Sequence, residues 1–467
     1  MKPISENIGS LLSDFYRCPE LADDFTLESD LSAAAGYFRV NQDLICYGRL
    51  SKPQPGATAT TAPKSANPMV GEAGKTCSLP FDPAEVVANL RMERYAPAGG
   101  TDGNGVVRRL YYLLRPLMPV GVRKHLQRFS LRGWDRIPFP RWPVDRTVDA
   151  LHEWILALAM QAEGMTEVPF VWFWPNGYSS CATITHDIET SAGRDFCGQL
   201  MDINDSYGIK TSFQVVPEER YEVPPAFLDL IRKRGFEVNV HDLNHDGHLF
   251  STREQFLERA DKINRYGKEF GAHGFRSAVL YRRLEWMNEL DFAYDMSVPN
   301  VAHLDPQRGG CCTLMPYFVG ALLELPVTLV QDYSLFHVLN DYSVEAWKRQ
   351  IEEIAAVHGL INAIVHPDYL LDARAQQVYK ELLQHLGKLR SEGTTWIARP
   401  GEVNDWWRAR AKMRVVRDGA GWRVDGAGKE RARLAFARRD GERITYHLED
   451  RAEHRPGLTA VTGGCSA

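Results

Sequence analysis

Three short stretches concentrate side chains able to do acid–base or metal chemistry. Ala182-Thr-Ile-Thr185 is an apolar, β-prone run that leads directly into His186-Asp187-Ile188-Glu189. A strand there delivers two carboxylates at i and i+2, positions that share a face in extended backbone. Phe236-Glu-Val-Asn-Val240 leads into His241-Asp-Leu-Asn-His245-Asp-Gly-His248, which places three of the 14 histidines within eight residues. A His-x-x-x-His pair aims two imidazoles at one point if the segment turns helically, because i and i+4 are neighbours on a helix. His248 is a spare imidazole that could replace either member. Two histidines and one carboxylate with open positions for water suit hydrolytic zinc or another divalent ion. A third run, Leu360 to Val365, ends in His366-Pro367-Asp368.

The elements that would hold these residues follow from periodicity. Between 171 and 407, short apolar runs alternate with amphipathic stretches. Predicted strands are Ala182 to Thr185, Thr211 to Val216, Glu237 to Val240, Gly274 to Arg276, Phe292 to Met296, Leu322 to Val327 and Leu360 to Val365. Helical patterns cover Ala226 to Arg234, Arg253 to Phe270, Val344 to His358 and Ala373 to Arg390. Such repetition predicts a mostly parallel sheet, doubly wound or closed into a barrel, with chemistry where strands end. All three reactive stretches sit at predicted strand ends. Taken singly, an Asp-x-Glu also serves as a helix cap and a lone histidine as a structural side chain, so it is the joint occurrence that points to a site.

The flanks read differently. Residues 1–50 contain two β-prone runs around Asn41-Gln42, which predicts a hairpin. In 51–80, 20 of 30 residues are Pro, Gly, Ser, Thr or Ala without apolar periodicity, the composition of a flexible linker or loop. Residues 81–170 read as a helical, basic segment. Its stretch from Gly103 to Trp134 holds seven basic residues among apolar ones, with Arg108 first and Arg132 last. One reading is peripheral contact with an anionic membrane through 108–132; the other is a helical pair packed on the main domain. Residues 408–467 form a small β appendage and tail, because Asp-Gly pairs separate short β-prone runs.

With 467 residues, 44 % of them hydrophobic, the chain can build a large core, which excludes a disordered or disulfide-stapled small scaffold. A net charge of -5 gives no electrostatic footprint for nucleic acid. Eight cysteines without a Cys-x-x-Cys pair read as reduced thiols, and neither a signal peptide nor a membrane span is legible, so a cytoplasmic location is the expectation. Trp172, Trp174, Tyr281 and Trp286 are candidates for a sugar groove or for the core.

Over roughly 171–400 the sequence resembles the polysaccharide deacetylases, with the nodulation-protein-B homology domain and carbohydrate esterase type 4 chemistry. Thr185-His-Asp187-Ile-Glu189 looks like the first motif in its Asp-x-Asp/Glu form, and His241-Asp-Leu-Asn-His245 matches the second. Gly274-Phe-Arg276-Ser277 resembles the third, Tyr294-Asp295-Met-Ser297 the fourth, and Ile364-Val365-His366 the fifth. Two departures stand out: Ile188 occupies the usual place of a second Asp, and no proline follows Arg276. The resemblance implies an α/β fold, a distorted (β/α)7-type barrel, here with a mixed N-terminal region and a small C-terminal antiparallel β appendage. It also implies Glu189, His241 and His245 as ligands of a divalent metal ion, zinc by preference, Asp187 as general base, Arg276 as its orienting partner and His366 as general acid.

These residue types suit amide hydrolysis. A divalent ion polarises a carbonyl and lowers the pKa of bound water from about 15.7 towards 7. Asp187 would take the water proton and His366 would protonate the leaving amine. Asp368 or the chain around Pro367 is expected to hold the His366 tautomer, and Glu324 either to orient a ligand histidine or to sit in a buried ion pair. The function expected is removal of N-acetyl groups from a sugar in a polysaccharide or lipid-linked glycan. The alternatives are hydrolysis of a small non-sugar amide and catalytically silent carbohydrate binding.

Overall fold

Strand Ser180–Ile188 shows how the sequence sets the architecture. Ala182, Ile184 and Ile188 join the apolar layer beneath the surrounding helices, whereas Thr183, Thr185 and Asp187 occupy the opposite face. The same alternation recurs next door, where Phe213 and Val215 are apolar and Ser212 and Gln214 polar, all buried. The computed structural model describes residues 8–19, 21, 25–41, 44–65, 67–70, 77–96, 131, 133–419 and 421–449.

Seven strands run parallel in the order Leu360–Ile364, Ser180–Ile188, Ser212–Val215, Glu237–His241, Gly274–Arg276, Tyr294–Asp295 and Leu322–Glu324. The chain beyond Leu322–Glu324 returns to the first of them. Thr328 and Leu329 donate their N–H groups to the Asn362 carbonyl at 3.2 and 3.1 Å. Asn362 N–H donates to Thr328 Oγ1 at 2.8 Å, which completes an irregular closure. The distorted seven-stranded barrel is therefore formed, its seam made by loop backbone. Tyr317–Val319 adds antiparallel to Leu322–Glu324, and Thr395–Ile397 adds parallel beside the first half of Ser180–Ile188.

The helices follow the predicted amphipathic stretches closely: Pro225–Lys233, Arg253–Glu269, Glu345–Ala355 and Ala373–Ser391. Helix Ser191–Ser206 was not predicted; it starts at Thr190, whose hydroxyl accepts the Gly193 N–H at 3.3 Å. Two strands are shorter than their apolar patterns. They are Tyr294–Asp295 and Leu322–Glu324, and after the first of them side chains meet part of the backbone. Met296 O receives Arg276 Nε–H at 2.9 Å, and Val298 N–H donates to Glu324 at 3.0 Å.

A second core lies under the barrel. Helix Ile8–Tyr16, the hairpin Gly36–Arg39 with Ile45–Gly48, helix Pro83–Arg91 and helix Thr147–Ala162 contribute to it, together with Trp172, Trp174, Trp406 and Trp407 from the barrel side. The described residues of 51–80 are joined to this layer: Cys77–Leu79 pairs with Phe25–Leu27, and Gly56 and Tyr37 exchange backbone hydrogen bonds. Its order comes from neighbours rather than from periodicity of its own. The C-terminal strands belong to the same layer. Leu434–Asp440 pairs with Arg443–Leu448 on one side and with Glu167–Val171 on the other. Gly419 and Gly441 take positive φ in the turns after Asp418 and Asp440, the conformation glycine supplies without strain. Apart from Leu131, the basic stretch 108–132 lies outside the described residues.

Candidate metal centre and its acid–base partners

Glu189, His241 and His245 converge. Their ligand atoms all lie within 4.8 Å of one another, with His245 Nε2 3.1 Å from Glu189 Oε1. His241 ends its strand, but the next residues do not turn as a helix. Asp242 and His245 both take positive φ, and the Asp242 carboxylate accepts the N–H groups of Leu243 and Ala278. A pinned irregular turn, not an i, i+4 helical face, brings the second imidazole back over the first; the ring centroids are 4.8 Å apart. His248 is exposed, with Nδ1 3.4 Å from Ser251 Oγ, and it is not part of the group.

The donor chemistry fits a cation. His241 Nδ1–H donates to the Arg276 carbonyl at 3.1 Å, leaving Nε2 as a buried lone pair without a hydrogen-bond partner among the described residues. An orphaned buried acceptor costs about 1–3 kcal/mol unless something fills it. Burial pushes the His241 imidazole down to about 4, Asp187 opposing it and His245 adding to it, so the ring is neutral as a ligand must be. Burial also opposes charge on Glu189, but His245 and its neighbours outweigh it and hold this carboxyl well below the usual range. For His245 burial lowers the pKa and Glu189 more than reverses the effect. Arg220, unseen in the sequence, places Nη2 3.0 Å from His245 Nδ1 and 3.4 Å from the His245 carbonyl. It thus keeps an acceptor when Nδ1 carries the proton.

Asp187 stands beside this group without being consumed by it. Its Oδ2 is 3.8 Å from His241 Nε2, and its Oδ1 accepts Arg276 Nη1–H at 2.7 Å. Arg276 is fixed further by Thr185 Oγ1 at 2.6 Å and by Met296 O, with its side chain fully buried. Burial raises the Asp187 pKa, but Arg276, His241 and His366 more than offset it and keep the carboxyl ionised.

His366 faces the group from the last barrel strand, Nε2 lying 3.7 Å from Glu189 Oε1. Its tautomer holder is neither Asp368 nor the chain at Pro367. Asp332 accepts His366 Nδ1–H at 2.6 Å and the His366 backbone N–H at 2.7 Å. Burial disfavours the imidazolium, yet Asp332 overrides it and pushes the pKa up to about 10. Asp368 instead accepts the Glu189 N–H at 3.1 Å and the Thr190 hydroxyl, so it anchors the strand end carrying Glu189. A Cβ on Gly193 would lie 2.3 Å from that carboxylate, which is why no side chain fits there.

One further expectation needs correction. Among the described residues no histidine or basic side chain hydrogen-bonds to Glu324; it sits beside Asp295. Trp172 and Trp174 are buried in the lower core with their indole N–H groups bonded to Tyr178 O and His358 O. Half-buried aromatic rings near the centre come from elsewhere: Tyr369, 4.8 Å from the His366 ring, and beside it Tyr333 and His337. Cys311 and Cys312 are buried thiols whose pKa values burial pushes up, unsuited to redox work. Among the described residues no disulfide forms.

No protein-family profile matches the sequence, and no curated protein matches it. Solved structures do. A Mycobacterium smegmatis protein assigned as a polysaccharide deacetylase is 16 % identical, with a TM-score of 0.43 over 51 % of this chain and 94 % of that one. Puue allantoinase is 13 % identical, with a TM-score of 0.39 over 50 % and 92 %. Peptidoglycan deacetylase PdaC from Bacillus subtilis is 13 % identical, with a TM-score of 0.33 over 50 % and 93 %. Among the described residues no helix is long and apolar enough to cross a membrane.

Proposed function

We propose that the chain is a divalent-metal-dependent hydrolase that removes N-acetyl groups from a sugar in a polysaccharide or glycoconjugate. The observation that carries this reading is the neutral, unpartnered His241 Nε2 between Glu189, His245 and an ionised Asp187. Glu189, His241 and His245 would hold the ion, and a two-histidine, one-carboxylate set suits zinc. The bound ion would polarise the amide carbonyl and acidify a water molecule.

The chain's own residues supply the proton movements. Asp187 has one oxygen committed to Arg276, and the other faces the ligand group, free to accept a proton from an attacking water. Arg276 keeps that oxygen pointed and the carboxylate charged between turnovers. His366 enters as the imidazolium that Asp332 stabilises, and its Nε2–H side is the one towards the ligand group, where it can protonate the departing amine. The separation of a low carboxyl and a high imidazole supports Asp187 as base and His366 as acid.

Tyr333, His337 and Tyr369 offer ring faces for a sugar beside this centre. A cytoplasmic, lipid-linked glycan approached through the basic stretch 108–132 is the substrate form this reading favours.

The test is metal analysis of the purified protein with His241→Ala and His245→Ala, alongside acetate release from N-acetylglucosamine oligomers. Stoichiometric metal lost in both variants, with acetate release abolished by chelation and by Asp187→Ala, is the expected result. Full metal retention in either variant, or release indifferent to chelator, refutes it.

A further inference from the structure

Behind Arg276 lies a pair of carboxyl groups that the proposed chemistry does not use. Asp295 and Glu324 are direct partners on adjacent parallel strands and are respectively 0 % and 1 % exposed. Two buried carboxylates side by side would repel strongly, so the hydrogen-bond inventory is informative. Asp295 Oδ1 accepts Ser297 Oγ–H at 2.7 Å, and Oδ2 accepts Ser297 N–H at 3.1 Å. Glu324 Oε1 accepts Val298 N–H at 3.0 Å. Glu324 Oε2 is buried, and no donor of the described residues reaches it. Three of the four oxygens are thus satisfied as acceptors. A hydrogen carried by the fourth, with Asp295 as the acceptor beside it, satisfies that oxygen within the protein itself.

The turn these carboxyls hold is the one that holds Arg276. Met296, between Asp295 and Ser297, offers its carbonyl to Arg276 Nε–H. Ser297 Oγ, which donates to Asp295, accepts Ser277 N–H at 2.8 Å. Each end of the Arg276-Ser277 step is therefore clamped by the 295–298 turn.

We propose that Glu324 stands in the folded protein as a neutral carboxylic acid whose Oε2–H donates to Asp295, and that this pair positions Arg276, and through it Asp187, by locking the 295–298 turn. Burial and the neighbouring Asp295 both push the Glu324 carboxyl well above its ordinary value, consistent with that assignment. Glu324 and Asp295 are positioning residues. The positioning role rests on the deacetylase reading; the protonation state does not.

Infrared spectra of the full chain carrying isotope-labelled glutamate test the protonation at neutral pH. A carboxylic-acid carbonyl band present in the wild type and missing in Glu324→Gln is expected; identical spectra overturn the proposal. Positioning is tested by exchange protection of the Arg276 Nε–H, followed by NMR on arginine-labelled protein. Gln keeps an N–H for Asp295, so Glu324→Gln should retain protection, whereas Glu324→Leu should lose it by at least about tenfold. With N-acetylglucosamine oligomers, Glu324→Leu should lower kcat about ten- to a hundredfold at unchanged KM and metal content, with Glu324→Gln within about twofold of wild type. A Gln variant as impaired as Leu overturns the donor role. If Glu324→Leu does not fold, the infrared band and the Gln variant decide. A wild type inactive on these oligomers refutes the substrate reading, while the infrared and exchange results still judge this one.

Discussion

Replacing Arg276 by Met should change both how stable the protein is and how that stability depends on pH. In the wild type the guanidinium touches Asp187 at 2.7 Å with its side chain fully buried and that of Asp187 4 % exposed. Opposite charges about 4 Å apart at an effective dielectric of about 20 attract by about 4 kcal/mol. Losing that attraction moves the Asp187 midpoint up by about three pH units at about 1.36 kcal/mol each. The wild-type carboxyl lies below its unfolded value, so its contribution is present at all pH above that value and disappears only in strong acid. In the variant, burial acts without Arg276 and the folded value lies above the unfolded one. Ionisation then penalises the fold, and the penalty grows as pH rises from about 4 through the new midpoint, by about 1.36 kcal/mol per pH unit.

The stability gap between the two proteins should therefore reach about 3–5 kcal/mol near pH 7 and be smaller near pH 5. Urea denaturation of chelator-treated protein at several pH values measures it, and contributions common to both proteins cancel. A gap under about 1 kcal/mol near pH 7, or one of equal size near pH 5, refutes the reasoning.

Asp332→Asn should drop the His366 midpoint from about 10 towards an ordinary imidazole value, because the charge that opposes burial is gone. NMR titration of histidine-labelled, chelator-treated protein reads this directly, and an unmoved resonance excludes Asp332 as the cause. His152 and His186 are buried neutral rings, pushed down to about 3 and about 4 by burial first; each donates Nδ1–H to a backbone carbonyl. Below about pH 6.5 the unfolded chain binds protons that the folded one refuses, so stability should fall on acidification by about 2.7 kcal/mol per pH unit for the two together. Unfolding midpoints flat from about pH 6.5 to pH 5 would contradict this.

Much of the site was legible because it sits on strand ends. The apolar run before Asp187 fixes the strand, and i, i+2 spacing then puts Asp187 and Glu189 on one side without further information. His241 and His245 were legible as a pair but not as a geometry, since a turn with two positive-φ residues carries no periodicity. Asp332 was missed because it opens a short helical turn after Val330, with nothing in Gln331-Asp332-Tyr333 to mark it; only the closure of the barrel brings it under His366. Arg220 and the Asp295–Glu324 pairing depend likewise on contacts between segments far apart in sequence. The shared lower core was hidden for the same reason: hairpin patterns show that Leu434–Asp440 is a strand, not that its other edge pairs with Glu167–Val171.

That last pairing bears on the order of assembly. The strand Glu167–Val171 runs into the barrel within ten residues, yet its partner is synthesised more than 260 residues later. Until Leu434–Asp440 emerges, the edge of Glu167–Val171 that it covers lacks its ladder and the tryptophan-rich floor has no cover from that side. A ribosome-bound chain would thus hold a nearly finished barrel with an open underside. The final strands act as its keystone, and chaperone demand should peak just before they appear.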